Sequence, residues 1–222
     1  MRVLWGARTR RGLALTMASL ILLWIPGLSI VGGLLLSIGS TLMFWDRRPF
    51  SPAHRSAMTV AFVLLWVAAV VYVSVFLVFV GAAYAAWLSR GLMDGLEPAV
   101  LTFIWDTTIP TELVVVALVF QIRFLLPPPG RPYAWTAGVV TGALVLVATV
   151  IAHLNVAAGL GSDFVRMSAV LGVLNQISLA RLVEGPGFAM FAYLYYRARA
   201  NVVPKASPAD APATGAMGPP AN

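Results

Sequence analysis

The stretch DRRPFSPAHR, residues 46–55, is a short basic loop that has long apolar runs on both sides. Its cationic residues are Arg47, Arg48 and Arg55. Because lysine and arginine concentrate in the short loops on the cytoplasmic side of a membrane, we predict that this loop lies on the inner face. Each later apolar crossing takes the chain to the opposite side of the membrane, so the position of this loop determines the side of every later segment.

The composition predicts that a lipid bilayer is the solvent for most of this chain. Of its 222 residues, 60% are hydrophobic and 10% are charged, and the mean hydropathy is +0.88. Soluble domains carry about 25% charged residues. In lipid the backbone groups must be bonded within helices or a closed barrel, and continuous apolar runs favour helices. We therefore predict an all-α fold, a polytopic transmembrane helical bundle.

Charge and residue counts exclude several classes of function. We attribute the net charge of +7 to arginines on one membrane face, because no basic run with interleaved aromatic residues indicates nucleic-acid binding. The chain contains no cysteine, which excludes disulfides, thiolate nucleophiles and iron–sulfur clusters. Its two histidines, His54 and His153, are too few for a His-rich zinc site, and we expect no metal and no cofactor.

The apolar run 13–45 is about 33 residues long, whereas about 20 residues cross a hydrocarbon core. The dipeptide Pro26-Gly27 interrupts it, and this pair often ends a helix. A hairpin at this point places the N-terminal arginines on the same face as the loop 46–55, which a single crossing would not do. We therefore predict a short hairpin, which either spans the membrane or is re-entrant.

The rest of the chain predicts four further spans, at about 57–88, 109–126, 134–157 and 164–184, with 99–105 as a short interfacial piece. The count is then six crossings with both termini inside. About twelve of the fifteen Lys and Arg residues fall on the inner side. We expect a multi-pass protein of a prokaryotic cell membrane, with a transmembrane domain at 1–200 and a disordered cytoplasmic tail rich in Pro, Ala and Gly at 201–222.

A polar stripe on the sixth span is the first candidate site. Its members follow steps of three and four residues and share one helix face: Ser168, Gly172, Asn175, Ser178, Arg181 and Glu184. Ionisable side chains within a span indicate a functional site, and Arg181 can pair with Glu184. A break predicted at Gly185-Pro186-Gly187 resembles the broken helices of transporters. Alternatively the stripe packs against other helices, with Ser168 and Gly172 allowing close approach.

Two acidic residues near Pro110 form the second candidate. In a continuous helix Asp106 would lie at mid-depth, as a proton or cation site. In a helix that begins near Ile109, Asp106 and Glu112 would instead lie at its N-terminus with Thr107 and Thr108 as caps, which we favour.

Two features of the fifth span complete the candidate residues. His153 lies near the outer end of this span, and we expect it to be packed there rather than to bind a ligand. Gly138 and Gly142 match the GxxxG pattern of helix contacts.

Two functions are compatible with these residues. No zinc-protease, P-loop or serine-hydrolase motif is present, so we expect no enzyme. The first function is a non-catalytic accessory or membrane-organising subunit, with the bilayer, other membrane subunits or further copies of itself as partners. The alternative is a small oligomeric transporter or channel that uses Arg181 and Glu184. A cavity that reaches these two residues favours transport, and a dry, close-packed stripe favours the accessory role.

Overall fold

The computed structural model describes residues 3–5, 7–25, 28–47, 50–88, 96–159, 175, 177, 179–200 and 202–204. The helices in this part are α1 (Ala7–Leu22), α2 (Ser29–Trp45), α3 (Pro52–Leu88), α4 (Leu96–Asp106), α5 (Thr108–Arg123), α6 (Arg131–Gly159) and α7 (Gly185–Ala200). Short 3-10 helices occupy Pro128–Gly130 and Arg181–Glu184. Apart from two three-residue strands, β1 (Val3–Trp5) and β2 (Val202–Pro204), the regular structure of these described residues is helical, which confirms the predicted all-α class.

Among the described residues, three helical stretches are long and apolar enough to cross a membrane: Pro52–Ala85, Pro98–Ile122 and Pro128–Ala158. They indicate a membrane protein. The predicted spans 57–88 and 134–157 lie within α3 and α6. Most of the predicted sixth span lies outside the described residues, as does most of the predicted tail. Within that tail, β2 pairs in parallel with β1, and Val202 lies opposite Val3.

Helices α1 and α2 form a tightly packed antiparallel hairpin. At its open end, the backbone N–H and the hydroxyl of Thr9 donate to the Asp46 carboxylate at 3.1 and 2.7 Å. In the middle, Gly12 lies against Gly39, so closely that a Cβ on Gly12 would be 2.7 Å from the Gly39 carbonyl oxygen. Small residues allow two helix backbones to approach in this way. The Pro26-Gly27 dipeptide itself lies outside the described residues.

The described arginines, except Arg181, gather at one end of the bundle, which we call the basic end. Contacts between distant segments define it: the His54 ring lies 5.5 Å from the Phe124 ring, and the Arg131 guanidinium lies 5.5 Å from the same ring. The hydrogen bonds between Thr9 and Asp46 and the pairing of β1 with β2 place one end each of α1, α2 and α7 at the basic end as well. The arginines at the basic end are Arg8, Arg10, Arg11, Arg47, Arg55, Arg123, Arg131, Arg197 and Arg199.

In the described part of the chain, buried apolar side chains form two separate clusters. The larger, which we call the basal core, lies toward the basic end and takes residues from α1, α2, α3, α5, α6 and α7, including Leu13, Met43, Met58, Leu118 and Phe191. The smaller, the distal core, consists of Val100, Ile104, Ala152, Val156, Ile177 and Ala180. The described residues of α1 and α2 contribute to the basal core and not to the distal core, so the hairpin extends along only part of the bundle.

Replacing Gly39 by alanine should lower the free energy of unfolding by about 1–3 kcal/mol, because overpacking a close contact forces neighbouring atoms apart. The new Cβ would lie 2.6 Å from Thr16 Oγ1 and 2.8 Å from the Gly12 carbonyl oxygen. Thermal unfolding of the purified protein in detergent measures the effect. Gly81→Ala is the matched control, since a Cβ there meets nothing within 4 Å. Equal unfolding midpoints for the two variants would contradict the close crossing.

Candidate functional site

A layer of polar side chains lies between the basal and distal cores, and we call it the polar layer. Three chain segments contribute to it. On each segment, the polar residues lie between a residue of the distal core and a residue of the basal core, so the three sets of polar residues lie at the same depth in the bundle. Its members are Thr107, Thr108, Thr111 and Glu112 from the α4–α5 junction, Thr149 from α6, and Arg181 and Glu184 from the 3-10 helix before α7.

Helices α4 and α5 are nearly continuous, with a slight interruption at their junction. Pro110 has no N–H to bond the Asp106 carbonyl, so the helix is weakened at this point. The backbone N–H of Thr107 still bonds Phe103 O at 3.0 Å, and that of Thr111 bonds Thr107 O at 3.4 Å. The predicted threonine caps are wrong, because the Thr107 side chain makes no capping bond and the hydroxyls of Thr107 and Thr108 donate backward to Ile104 O.

The threonine hydroxyls present oxygen lone pairs within the polar layer. The Thr111 hydroxyl donates to Thr107 O at 2.8 Å. The hydroxyl oxygens of Thr108 and Thr149 lie 2.7 Å apart across the two helices, so one of these hydroxyls donates to the other. The Thr149 hydroxyl oxygen also lies 2.9 Å from Val145 O of its own helix. A hydroxyl has one hydrogen, so these bonds occupy the donors and leave acceptor sites. The small pocket between them, about 20 Å³, is also lined by Arg181 and Glu184 and has room for about one water molecule.

Arg181 and Glu184 lie at the centre of the polar layer. Glu184 is 7% exposed, and the charges of both Arg181 and Glu112 act on its carboxyl group.

The helix tightens into a 3-10 turn at Arg181–Glu184, one turn before the predicted break. Gly185-Pro186-Gly187 is instead the first turn of α7, where proline is tolerated. Of the other stripe residues, Asn175 is exposed, and Ser168, Gly172 and Ser178 lie outside the described part of the chain.

The two glycines of this turn allow neighbouring helices to approach the polar layer. A Cβ on Gly187 would lie 2.8 Å from the Cα of Thr141 on α6. A Cβ on Gly185 would lie 3.1 Å from the ring of Trp24, which follows the last turn of α1. The tip of the α1–α2 hairpin therefore ends beside Glu184, at the depth of the polar layer.

A larger cavity of about 340 Å³ reaches the polar layer from the side, and we call it the lateral cavity. It lies between α2, α3, α5 and the 3-10 helix, and it is bounded at one end by Arg181 and Glu184. Its walls are mostly apolar, with Leu36, Leu65 and Val114 among the lining residues. Arg181 and Glu184 thus line both the small pocket and the lateral cavity.

The GxxxG pair of α6 packs on α5 of the same chain. A Cβ on Gly138 would lie 2.5 Å from Cγ2 of Val119, and a Cβ on Gly142 would lie 2.9 Å from Oε2 of Glu112. Gly142 therefore provides the space that the Glu112 carboxylate occupies. The other carboxylate oxygen, Oε1, is buried and has no hydrogen-bond partner among the described residues.

The remaining candidate residues lie away from both cavities. The indole N–H of Trp105 donates to Nδ1 of His153 at 3.3 Å, and the two rings meet edge to face. Asp106 is half-buried and, like His153, lines neither the small pocket nor the lateral cavity. The structure therefore brings Arg181, Glu184 and Glu112 together and leaves Asp106, His153 and Asn175 outside the group.

The sequence did not predict two features of the interior. One is the threonine cluster, and the other is a buried pair in the basal core, in which the Tyr195 hydroxyl donates to the side-chain oxygen of Gln121. Gln121 is a polar residue within an apolar run, and this alone could have marked it as a residue that needs a partner inside the bundle.

No family model, no curated protein and no solved structure matches the chain. The chemistry of the polar layer and the lateral cavity is therefore the basis for a proposed function. That chemistry combines the cation Arg181, the carboxylates Glu112 and Glu184, and a group of threonine oxygens within an apolar bundle.

Replacing Thr149 by valine should lower the free energy of unfolding by about 0.5–1 kcal/mol, because it removes a hydrogen bond between helices. A double-mutant cycle with Thr108→Val, measured by unfolding in detergent, should show a coupling energy of similar size. Thr136→Val is the control, because that exposed hydroxyl bonds a carbonyl of its own helix. Zero coupling between Thr108 and Thr149 would contradict the bond across the polar layer.

Proposed function

We propose that the protein is a multi-pass protein of a prokaryotic cell membrane, with six helical segments and both termini on the cytoplasmic side. The gathering of the described arginines at the basic end supports this orientation, since cationic residues remain on the cytoplasmic face. We place the basic end at the cytoplasm and the distal core toward the outer face.

We further propose that the α1–α2 hairpin is re-entrant. The 16 residues of α1 span about 24 Å, whereas a hydrocarbon core is about 30 Å thick. The tip of the hairpin contacts Gly185 beside the polar layer, while α3, α4 and α6 continue to the distal core. A re-entrant hairpin keeps the number of crossings even, so the two termini remain on one side.

The proposed activity is that of a small transporter or channel, oligomeric in the membrane, that acts at the polar layer. The observation that carries this proposal is the lateral cavity, which reaches Arg181 and Glu184 in the middle of an apolar bundle. Charged side chains inside a membrane protein are costly, and they characteristically face a cavity on a substrate or ion pathway. A pair that served packing alone would be expected in dry contact with other helices.

The structure around the polar layer supports a pathway in a second way. Three interruptions of regular helix adjoin it: the α4–α5 junction, the 3-10 turn Arg181–Glu184 and the tip of the α1–α2 hairpin. A 3-10 turn within a helix often marks a hinge. Transporters bind substrates where such discontinuous helices meet, because irregular backbone is tolerated only beside a cavity or within protein.

A non-catalytic accessory or membrane-organising subunit is the second candidate function. The exposure of α3 favours it, because Val70, Leu77 and Val78 are 62%, 62% and 73% exposed and form an apolar surface that another subunit could cover. Neither function requires a reaction, and we propose no catalytic activity.

The proposed orientation predicts the accessibility of single cysteines, which can be introduced freely because the chain has none. In intact cells, Ser51→Cys and Ser207→Cys should resist a membrane-impermeant maleimide, and Ser89→Cys should react with it. After permeabilisation all three should react. Reaction of Ser51→Cys and Ser207→Cys from different sides would contradict an even number of crossings.

The proposed activity predicts that Arg181→Lys remains folded and loses transport. Lysine keeps the charge but not the planar set of donors, so its interaction with Glu184 and a solute changes. We expect proton or potassium flux into dye-loaded proteoliposomes to fall about tenfold, equivalent to about 1.4 kcal/mol. The unfolding midpoint should change little, and Arg123→Lys at the basic end is the control.

The accessory function predicts a different result for the same residue. Flux would be unchanged in every variant, and Arg181→Ala would lower the stability of the assembly because Glu184 would lose the nearby cation. A folded Arg181→Lys protein with unchanged flux would therefore count against transport.

A further inference from the structure

The lateral cavity is amphipathic. Its apolar walls come from α2, α3 and α5, with Leu36, Leu65 and Ala68 among the lining residues, and its charged groups, Arg181 and Glu184, lie together at one end. At about 340 Å³ it falls in the size range of ligand pockets, about 300–1,000 Å³. Its shape therefore suits a molecule with one polar end and a long apolar remainder.

The cavity opens sideways, between α2 and α3. Two lining residues at this opening, Leu34 and Val73, are 61% and 54% exposed among the described residues. They lie on helices whose outer surfaces are apolar, so in a bilayer they face acyl chains. Toward the basic end, the cavity is closed by the buried side chains of the basal core. A ligand would therefore enter from the lipid rather than from the cytoplasmic water.

The charged end of the cavity favours an uncharged head group. Arg181 and Glu184 both line the cavity, so together they offer a head group hydrogen-bond donors and acceptors. Bringing an ion to this depth from lipid is costly, whereas a hydroxyl group crosses more readily. A hydroxyl can accept a hydrogen bond from the Arg181 guanidinium and donate one to the Glu184 carboxylate.

We infer that the lateral cavity binds a long-chain alcohol, which enters from the bilayer between α2 and α3. The hydroxyl lies between Arg181 and Glu184, and the chain lies along the apolar walls. This inference rests on the proposed function, because it assigns a class of ligand to the same site at Arg181 and Glu184.

Gly33 provides a variant that fills the cavity without disturbing the fold. It lines the lateral cavity, and a Cβ at this position meets nothing within 4 Å. Gly33→Phe should therefore occupy the space of the ligand while the hairpin keeps its packing. Gly81→Phe is the matched control, because a Cβ on Gly81 also meets nothing within 4 Å but Gly81 does not line the cavity.

The experiment uses the full chain in phosphatidylcholine nanodiscs with a diazirine derivative of hexadecanol, followed by mapping of the labelled residues by mass spectrometry. We expect labelling of α2 and α3 residues that line the cavity, and loss of this labelling with excess hexadecanol. Gly33→Phe should reduce it about tenfold, and Gly81→Phe should leave it unchanged. Equal labelling of the wild-type protein and Gly33→Phe would overturn the inference.

A second probe tests the head group. A diazirine derivative of hexadecanoate, ionised at high pH, should label the cavity more weakly than the alcohol. Stronger labelling by the anion would overturn the assignment of a hydroxyl head group.

The flux measurements separate this inference from the proposed function. If flux depends on Arg181 but the alcohol does not label the cavity, the inference fails and the transport function stands. If the alcohol labels the cavity but flux is the same in Arg181→Lys, the transport function fails, and the cavity is a binding site that carries nothing across.

Discussion

A charged side chain inside an apolar bundle is costly unless polar groups surround it, and this cost governs the middle of the molecule. Arg181 and Glu184 lie between two apolar cores, where threonine oxygens from the α4–α5 junction, α5 and α6 line the small pocket beside them. Glu112 adds a second carboxylate whose charge acts on Glu184. The polar layer forms because three chain segments place polar residues at the same depth, where each makes the burial of the others less costly.

The short hairpin explains why a cavity adjoins this layer. Helices α1 and α2 have 16 and 17 residues and end beside Gly185, whereas the 37-residue α3 continues past them. A short element beside longer neighbours leaves volume unfilled at its end. The lateral cavity lies there, lined by Leu23 and Ser29 from the two sides of the hairpin tip. Close glycine packing keeps the hairpin compact and prevents its helices from spreading into this volume.

Local patterns predicted some features of the site and missed others for a physical reason. Steps of three and four residues placed Arg181 and Glu184 on one helix face, because helical periodicity depends only on the chain itself. The Thr107 hydroxyl could bond forward, as a cap, or backward to a carbonyl. The outcome depends on whether the helix continues through Pro110. The contacts Trp105–His153 and Thr108–Thr149 hold both sides of the junction against α6. The helix therefore continues through Pro110, and the threonine hydroxyls bond the carbonyl of the preceding turn.

The sequence by itself determined the helical class, the apolar character of the long helices and the separation of cations into a few short segments. These follow from composition and local order, which each segment carries independently of its neighbours. Only the tertiary structure decided that Glu112 lies in the space left by Gly142, and that Thr149 and Glu184 line one pocket. The depth at which distant residues meet depends on the register between helices, and that register is set by side chains from several helices packing at once.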